Sequence, residues 1–160
     1  MAKQHEYRTH LVWNGNLGKG TSTYAGYGRD YTISIDGKPP MRGSADPMFR
    51  GNSELPNPED LFIAALSSCH MLSYLALCAR QGVSVLTYED HASGTLVFTA
   101  DGGGRFHEVT LNPIVSIADP EKVALAESLH DEAHRLCYIA SSSNTTVNHA
   151  ATVAVAAEIQ

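Results

Sequence analysis

Charge is scarce in this 160-residue chain, with Asp, Glu, Lys and Arg making up 18% of it against about 25% in ordinary soluble domains. The 17 acids and 11 bases form no block of one sign, and the net charge of −6 argues against a general electrostatic grip on nucleic acid or anionic membrane. Cysteine is sparse too. Three cysteines cannot staple a fold of this size, so the disulfide-scaffold class falls away. The opening Met1-Ala2-Lys3-Gln4-His5-Glu6 lacks an apolar core and a small-residue cleavage site, so no secretory signal is expected there. Thiols without such a signal point to a reducing, cytoplasmic compartment, where a persistent cysteine is more often catalytic or metal-binding than structural. What the chain does have is 43% hydrophobic residues, enough for a real core and against disorder, and a length that predicts one domain over residues 1–160.

Residues 61–79 are 19 positions without an acid or base, which is the length of a membrane span. Only eight of them are Leu, Ile, Phe or Met, and Ser67, Ser68, His70 and Ser73 interrupt the run. The segment therefore reads as a helix buried in protein, and no membrane partner is expected. Its ends are marked. Asn57 can cap it, Pro58 suits its first position, Glu59 and Asp60 favour the positive end of its dipole, and Gly82 stops it. Apolar residues on nearly every face predict a helix enclosed on all sides.

Before this helix, residues 5–13, 21–27 and 31–35 carry strand patterns, broken by the glycine-rich residues 15–20 and the Asp36-Gly37 turn. Pro39-Pro40 forbids a central strand just beyond, and residues 43–58 form the loopiest stretch. After the helix, residues 83–100 and 106–118 predict a hairpin, with Pro113 marking a bulge or an edge. A second helix opens at Asp119-Pro120-Glu121 and runs to Leu136, with Leu125, Leu129, Ala133 and Leu136 on one side. Residues 141–144 form a turn and residues 152–159 a closing strand. The class is α+β with mainly antiparallel sheet.

Several residues could carry chemistry. Cys69 sits mid-helix in Ser67-Ser68-Cys69-His70 and, taken by itself, reads first as core filler, since buried free cysteine is common and usually inert. Cys78, nine residues on, turns through 900° to the opposite face, about 13 Å further along, which forbids a disulfide to Cys69 within one helix. Cys137 lies at the end of the second helix beside a turn. His130, His134 and Cys137 share one helical face, as zinc ligands would, although no H-E-x-x-H or C-x-x-C accompanies them. His70 points about 100° away from Cys69, a poor arrangement for a Cys–His pair. His5, His10, His91, His107 and His149 show no ligand spacing. Gly15-Asn16-Leu17-Gly18-Lys19-Gly20-Thr21 lacks the spacing of a phosphate loop, and no G-x-S-x-G occurs.

The run Asn57-Pro58-Glu59-Asp60-Leu61-Phe62-Ile63-Ala64-Ala65-Leu66-Ser67-Ser68-Cys69 resembles the central-helix signature of the OsmC/Ohr family of thiol peroxidases, with a reactive cysteine ten residues after the Glu. Ala133-His134-Arg135-Leu136-Cys137 is similar to the segment carrying that family's second cysteine, and Trp13, Gly15, Gly18 and Gly20-Thr21 resemble its opening hairpin. The resemblance implies an OsmC-like α+β fold, with mainly antiparallel sheets around a long buried central helix, in an intertwined homodimer. It implies reduction of organic hydroperoxides, fatty-acid hydroperoxides among them, without a cofactor. Cys69 would attack the peroxide and become a sulfenic acid, and Cys137 would resolve it as a disulfide. A lipoyl-type dithiol or a thioredoxin-like protein would then restore both thiols.

A nearby arginine raises the thiolate fraction of a cysteine. In the family this arginine is held by a glutamate, for which Glu59 and Arg50 are the matching candidates, with Arg29 as the fallback. One departure stands out: Tyr138 follows the second cysteine where many members have proline, which bears on how Cys137 is presented and on its reductant. Residues 24–51 are also longer than in the shortest members. Glu59 and Cys69 are separated by about 15 Å of helix rise, so Glu59 could assist only the Cys69 of a second chain, across helices crossing near Ala64 and Ala65. The alternatives are a non-catalytic protein of the same fold that binds an apolar ligand, or a metal-binding stress protein using His130, His134 and Cys137.

Overall fold

The computed structural model describes residues 4–156, so residues 157–159 of the expected closing strand lie outside the described residues. The chain divides into two compact units, one up to Leu61 and one from Phe62 onward.

In the first unit, β1 (His10–Trp13), β2 (Tyr31–Ser34) and β3 (Met41–Gly43) form an antiparallel sheet in that order. Trp13 pairs with Tyr31 and His10 with Ser34. Asp36-Gly37 turns the chain as expected, with Gly37 at φ 75° and Lys38 N–H donating to Ile35 O at 3.0 Å. Beyond Pro39-Pro40 the chain supplies only the short edge strand β3, which needs no second partner. The strand expected over residues 21–27 does not form. Those residues make successive turns, because Gly28 N–H bonds back to Gly15 O at 2.8 Å and folds the segment into a closed loop. Gly15 permits that approach, since a Cβ there would lie 1.8 Å from Gly28 O. Residues 43–58 hold one short 3-10 turn, Pro47–Phe49, capped by Asp46.

The long helix α1 (Pro58–Arg80) begins and ends where its signals lie. Asn57 Oδ1 accepts from Asp60 N–H at 2.8 Å, and Asp60 Oδ2 accepts from Asn57 N–H at 3.1 Å, a reciprocal cap that satisfies two otherwise free donors. At the other end Gly82 adopts φ 68° and Val83 N–H reaches Cys78 O at 2.8 Å, closing the helix in a Schellman turn. The expected all-round enclosure is not found within the chain. Leu66, His70, Tyr74, Leu77 and Cys78 are buried along one face, whereas Leu72 remains 63% exposed. By length and composition alone α1 could cross a membrane, with a mean hydropathy of 1.8 in its most apolar window, yet two of its five buried residues are His70 and Tyr74.

In the second unit the expected hairpin arms are each split in two. β5 (Ser93–Phe98) and β6 (Gly104–Leu111) form the hairpin across the glycine turn, while β4 (Val85–Asp90) pairs with β7 (Pro113–Ile117) in a separate sheet. A polar corner enforces the break. Asp90 accepts from Asn112 N–H at 2.7 Å and from Ser67 Oγ at 2.5 Å, and Asn112 Nδ2 donates to His91 O at 2.9 Å. Pro113 thus opens a central strand, where it has no ladder bond to lose, instead of marking a bulge or an edge. After the 3-10 turn Pro120–Lys122, capped by Asp119, come α2 (Val123–Leu136) and the short α3 (Tyr138–Ser141). β8 (Thr146–His149) and β9 (Thr152–Val155) then run parallel to β6 and β7. The sheets are β4-β7-β9 and β5-β6-β8. On α2 the buried face is Ala126, Leu129, His130 and Ala133, with Leu125 outside it. The architecture is α+β, with mainly antiparallel pairing and one long helix.

Candidate active site

Cys69 lies halfway along α1 and is half-buried, and Cys137 is the buried residue that ends α2. The helix stops at Cys137, whose backbone turns extended (φ −69°, ψ 111°). The Cys137 thiol then accepts from Ala140 N–H at 3.4 Å and caps α3. The two thiols are free, and Cys69 lies near enough to Cys137 to act on its thiol electrostatically. Burial pushes the Cys137 thiol's pKa up, the Ala140 N–H opposes this, and the neighbouring Cys69 thiol adds to the rise. Cys137 is therefore held as a protonated thiol, the form that donates to a neighbour.

Cys69 opens onto a cavity of about 630 Å³ lined mainly by apolar side chains, among them Ala65, Leu72, Leu136 and Ile139, with Arg80 the cation on its wall. Tyr138, the residue after Cys137, borders the same cavity and is 81% exposed. Cys78 belongs instead to the hydrophobic core, where burial pushes its pKa up.

The remaining expected residues lie in the first unit. Arg50 ends the Pro47–Phe49 turn in a left-handed conformation (φ 67°), the one such non-glycine among the described residues. This conformation is disfavoured for a side chain and concentrates at functional sites. Glu59, in the first turn of α1, raises the pKa of Tyr31 together with Asp60, after burial as the larger cause. Arg50 and Glu59 form no ion pair with each other among the described residues. Arg29 is committed locally. Its guanidinium lies 3.9 Å from the Tyr27 ring centre and 4.6 Å from that of Tyr24, and it donates to the carbonyl oxygens of both residues.

The structure also assembles a histidine cluster that no single-helix pattern revealed. His70 Nε2 and His130 Nδ1 share a hydrogen bond at 3.0 Å, and both rings are buried. Tyr74 stacks on His130 at 3.8 Å. His149, tied to Asp131 at 3.2 Å, and His134 sit beside them. Burial first, then the neighbouring histidines, push the pKa values of His70 and His130 down to about 4 and about 3, so both are neutral near pH 7. His130, His134 and Cys137 do not converge as zinc ligands: His130 bonds His70, Cys137 caps α3, and among the described residues no group of three or more His, Cys, Asp or Glu is arranged to hold a metal ion. The available signals were His70 beside Cys69 and the i, i+4 spacing of His130 and His134, but neither tells which residues meet across helices.

The family model for OsmC-like protein matches residues 51–152. The chain belongs to the OsmC-like family. Among solved OsmC-like structures, a protein of unknown function from Vibrio cholerae is 31% identical, with 93% of this chain and 100% of that chain covered at a TM-score of 0.83. An organic hydroperoxide resistance protein from Elizabethkingia anophelis shares the OsmC-like fold at 17% identity, 98% and 100% coverage and a TM-score of 0.69. The organic hydroperoxide resistance protein OhrB of Bacillus subtilis matches at 21% identity, 92% and 98% coverage and a TM-score of 0.60. Among curated proteins none matches this OsmC-like sequence.

Proposed function

We propose that the protein is a cysteine-based peroxidase that reduces organic hydroperoxides, and the observation that carries this reading is that Cys69 lines an apolar cavity with the buried Cys137 thiol within its electrostatic reach. The Cys69 thiolate attacks one peroxide oxygen, the O–O bond breaks, and the alkoxide leaves as the alcohol after taking up a proton. Cys69 is left as a sulfenic acid. The Cys137 sulfur then attacks the Cys69 sulfur, water leaves, and a disulfide forms. Two thiols of a lipoyl-type dithiol or a thioredoxin-like protein reduce it. Arg50 is assigned to stabilising the Cys69 thiolate and Glu59 to orienting that arginine, and Arg29's engagement with Tyr24 and Tyr27 supports choosing Arg50 over it. The cavity lining suits an apolar substituent on the peroxide, as in alkyl or fatty-acid hydroperoxides.

The working unit in this reading is a homodimer. Glu59 and Cys69 are separated by about 15 Å of helix, so Glu59 reaches a Cys69 only across two antiparallel α1 helices that cross near Ala64 and Ala65.

Steady-state consumption of cumene hydroperoxide and tert-butyl hydroperoxide, with a lipoyl-type and a thioredoxin-type reductant, tests the proposal. Turnover that disappears in Cys69→Ser is expected. A wild-type protein that binds apolar ligands but consumes no peroxide with either reductant is a binding protein of this fold instead.

A further inference from the structure

We infer that the buried His70–His130 pair is a positioning device that holds Cys137 against Cys69, an inference that rests on the two-cysteine reading of the site. His70 and His130 are 0% and 1% exposed. Each spends one ring nitrogen on their shared bond, and His70 Nδ1 and His130 Nε2 are buried without a hydrogen-bond partner. Two aliphatic side chains would fill the same space and leave nothing unsatisfied. What the imidazoles add is direction. Apolar side chains tolerate sliding, whereas a hydrogen bond of 3.0 Å does not survive a one-residue shift, which moves a helix by about 1.5 Å and turns it by about 100°.

The bond joins the two helices that carry the thiols. His70 is next to Cys69 on α1. Cys137 is seven residues beyond His130, which is about 700° of rotation, so it returns to nearly the same face about 10 Å further along α2. Over that lever a tilt of about 10° at His130 displaces Cys137 by about 2 Å, enough to spoil the Cα separation a disulfide requires. Tyr74, stacked on His130 with an interplanar angle of 12°, restrains the ring on its other side. His134 and His149 face the pair from α2 and β8, and Asp90 from β4.

The test needs no peroxidase activity. Reduced protein is equilibrated with glutathione and glutathione disulfide, and the fraction carrying the Cys69–Cys137 bond gives the effective concentration of one thiol toward the other. A fall of at least about tenfold is expected for His130→Leu and for the double variant His70→Leu/His130→Leu, while the urea midpoint of the double variant stays level or rises. His130→Asn places an amide near the former Nδ1, His70→Gln places one near the former Nε2, and both should recover most of the loss. An unchanged effective concentration in the folded double variant overturns the inference. So does a loss that merely follows stability, or one that the amide variants fail to repair. If His130→Leu does not fold, the double variant and the amide variants carry the decision. A wild type that reacts with glutathione disulfide but not with peroxides removes the peroxidase reading and leaves this result standing.

Discussion

The chemistry of the three cysteines differs because their surroundings differ. Cys69 reaches a cavity, Cys137 is a buried helix cap within electrostatic reach of Cys69, and Cys78 fills the core. One equivalent of organic peroxide should therefore join Cys69 to Cys137 and leave Cys78 alkylatable after denaturation. Peptide mapping that found Cys78 in the new bond would reject this assignment. At Arg50, replacement by Met should slow the peroxide step by about tenfold or more, since the thiolate loses its proposed cationic partner. Arg29→Met should slow it less and mainly loosen the residue 24–29 loop. Arg50→Gly should be equally slow yet no less stable, because glycine relieves a left-handed conformation worth about 1 kcal/mol; stopped-flow rates with thermal melts separate the two effects. Cys69 and Cys137 could be singled out in the sequence because the motifs that flank them are local. The left-handed backbone of Arg50 and the engagement of Arg29 could not be, because both depend on how a loop closes on itself.

Helix boundaries could be read from the sequence because caps are local chemistry: Asn57, Asp60 and Gly82 act on backbone groups within a few residues. The strands were less legible. The break at Asp90 and Asn112 is made by side chains bonding backbone groups more than twenty positions away, and β8 gains its place only by pairing with β6. The His70–His130 bond between α1 and α2 has a consequence for acid stability. Both folded-state pKa values lie below the ordinary histidine value, so between pH 6.5 and about 3 the unfolded chain binds more protons than the folded one. Stability should be flat above pH 6.5 in this respect and should fall as pH drops through that window. His149 and His134 deepen the effect and Asp90 opposes it. Urea midpoints from pH 7 to pH 5 should decline in wild type and decline less in His70→Leu/His130→Leu. Equal slopes would mean that other groups set the acid response.

For the whole molecule, the proposed dimer makes a claim that a single chain cannot satisfy. A mixed dimer of Glu59→Gln and Cys69→Ser subunits should retain about half the wild-type activity, because the Cys69 of the first subunit meets the Glu59 of the second in one intact site. If each chain serves its own site, mixing restores nothing. The sequence by itself determined the α+β class and the long helix with both its ends, since propensity and capping are short-range properties of the chain. Only the tertiary structure decided that α1 is buried along one face, that the hairpin divides between two sheets, and that His70 meets His130. Each of those outcomes depends on groups far apart in the chain being brought within a few ångströms, where hydrogen bonding and burial select one arrangement among several that the local pattern allows.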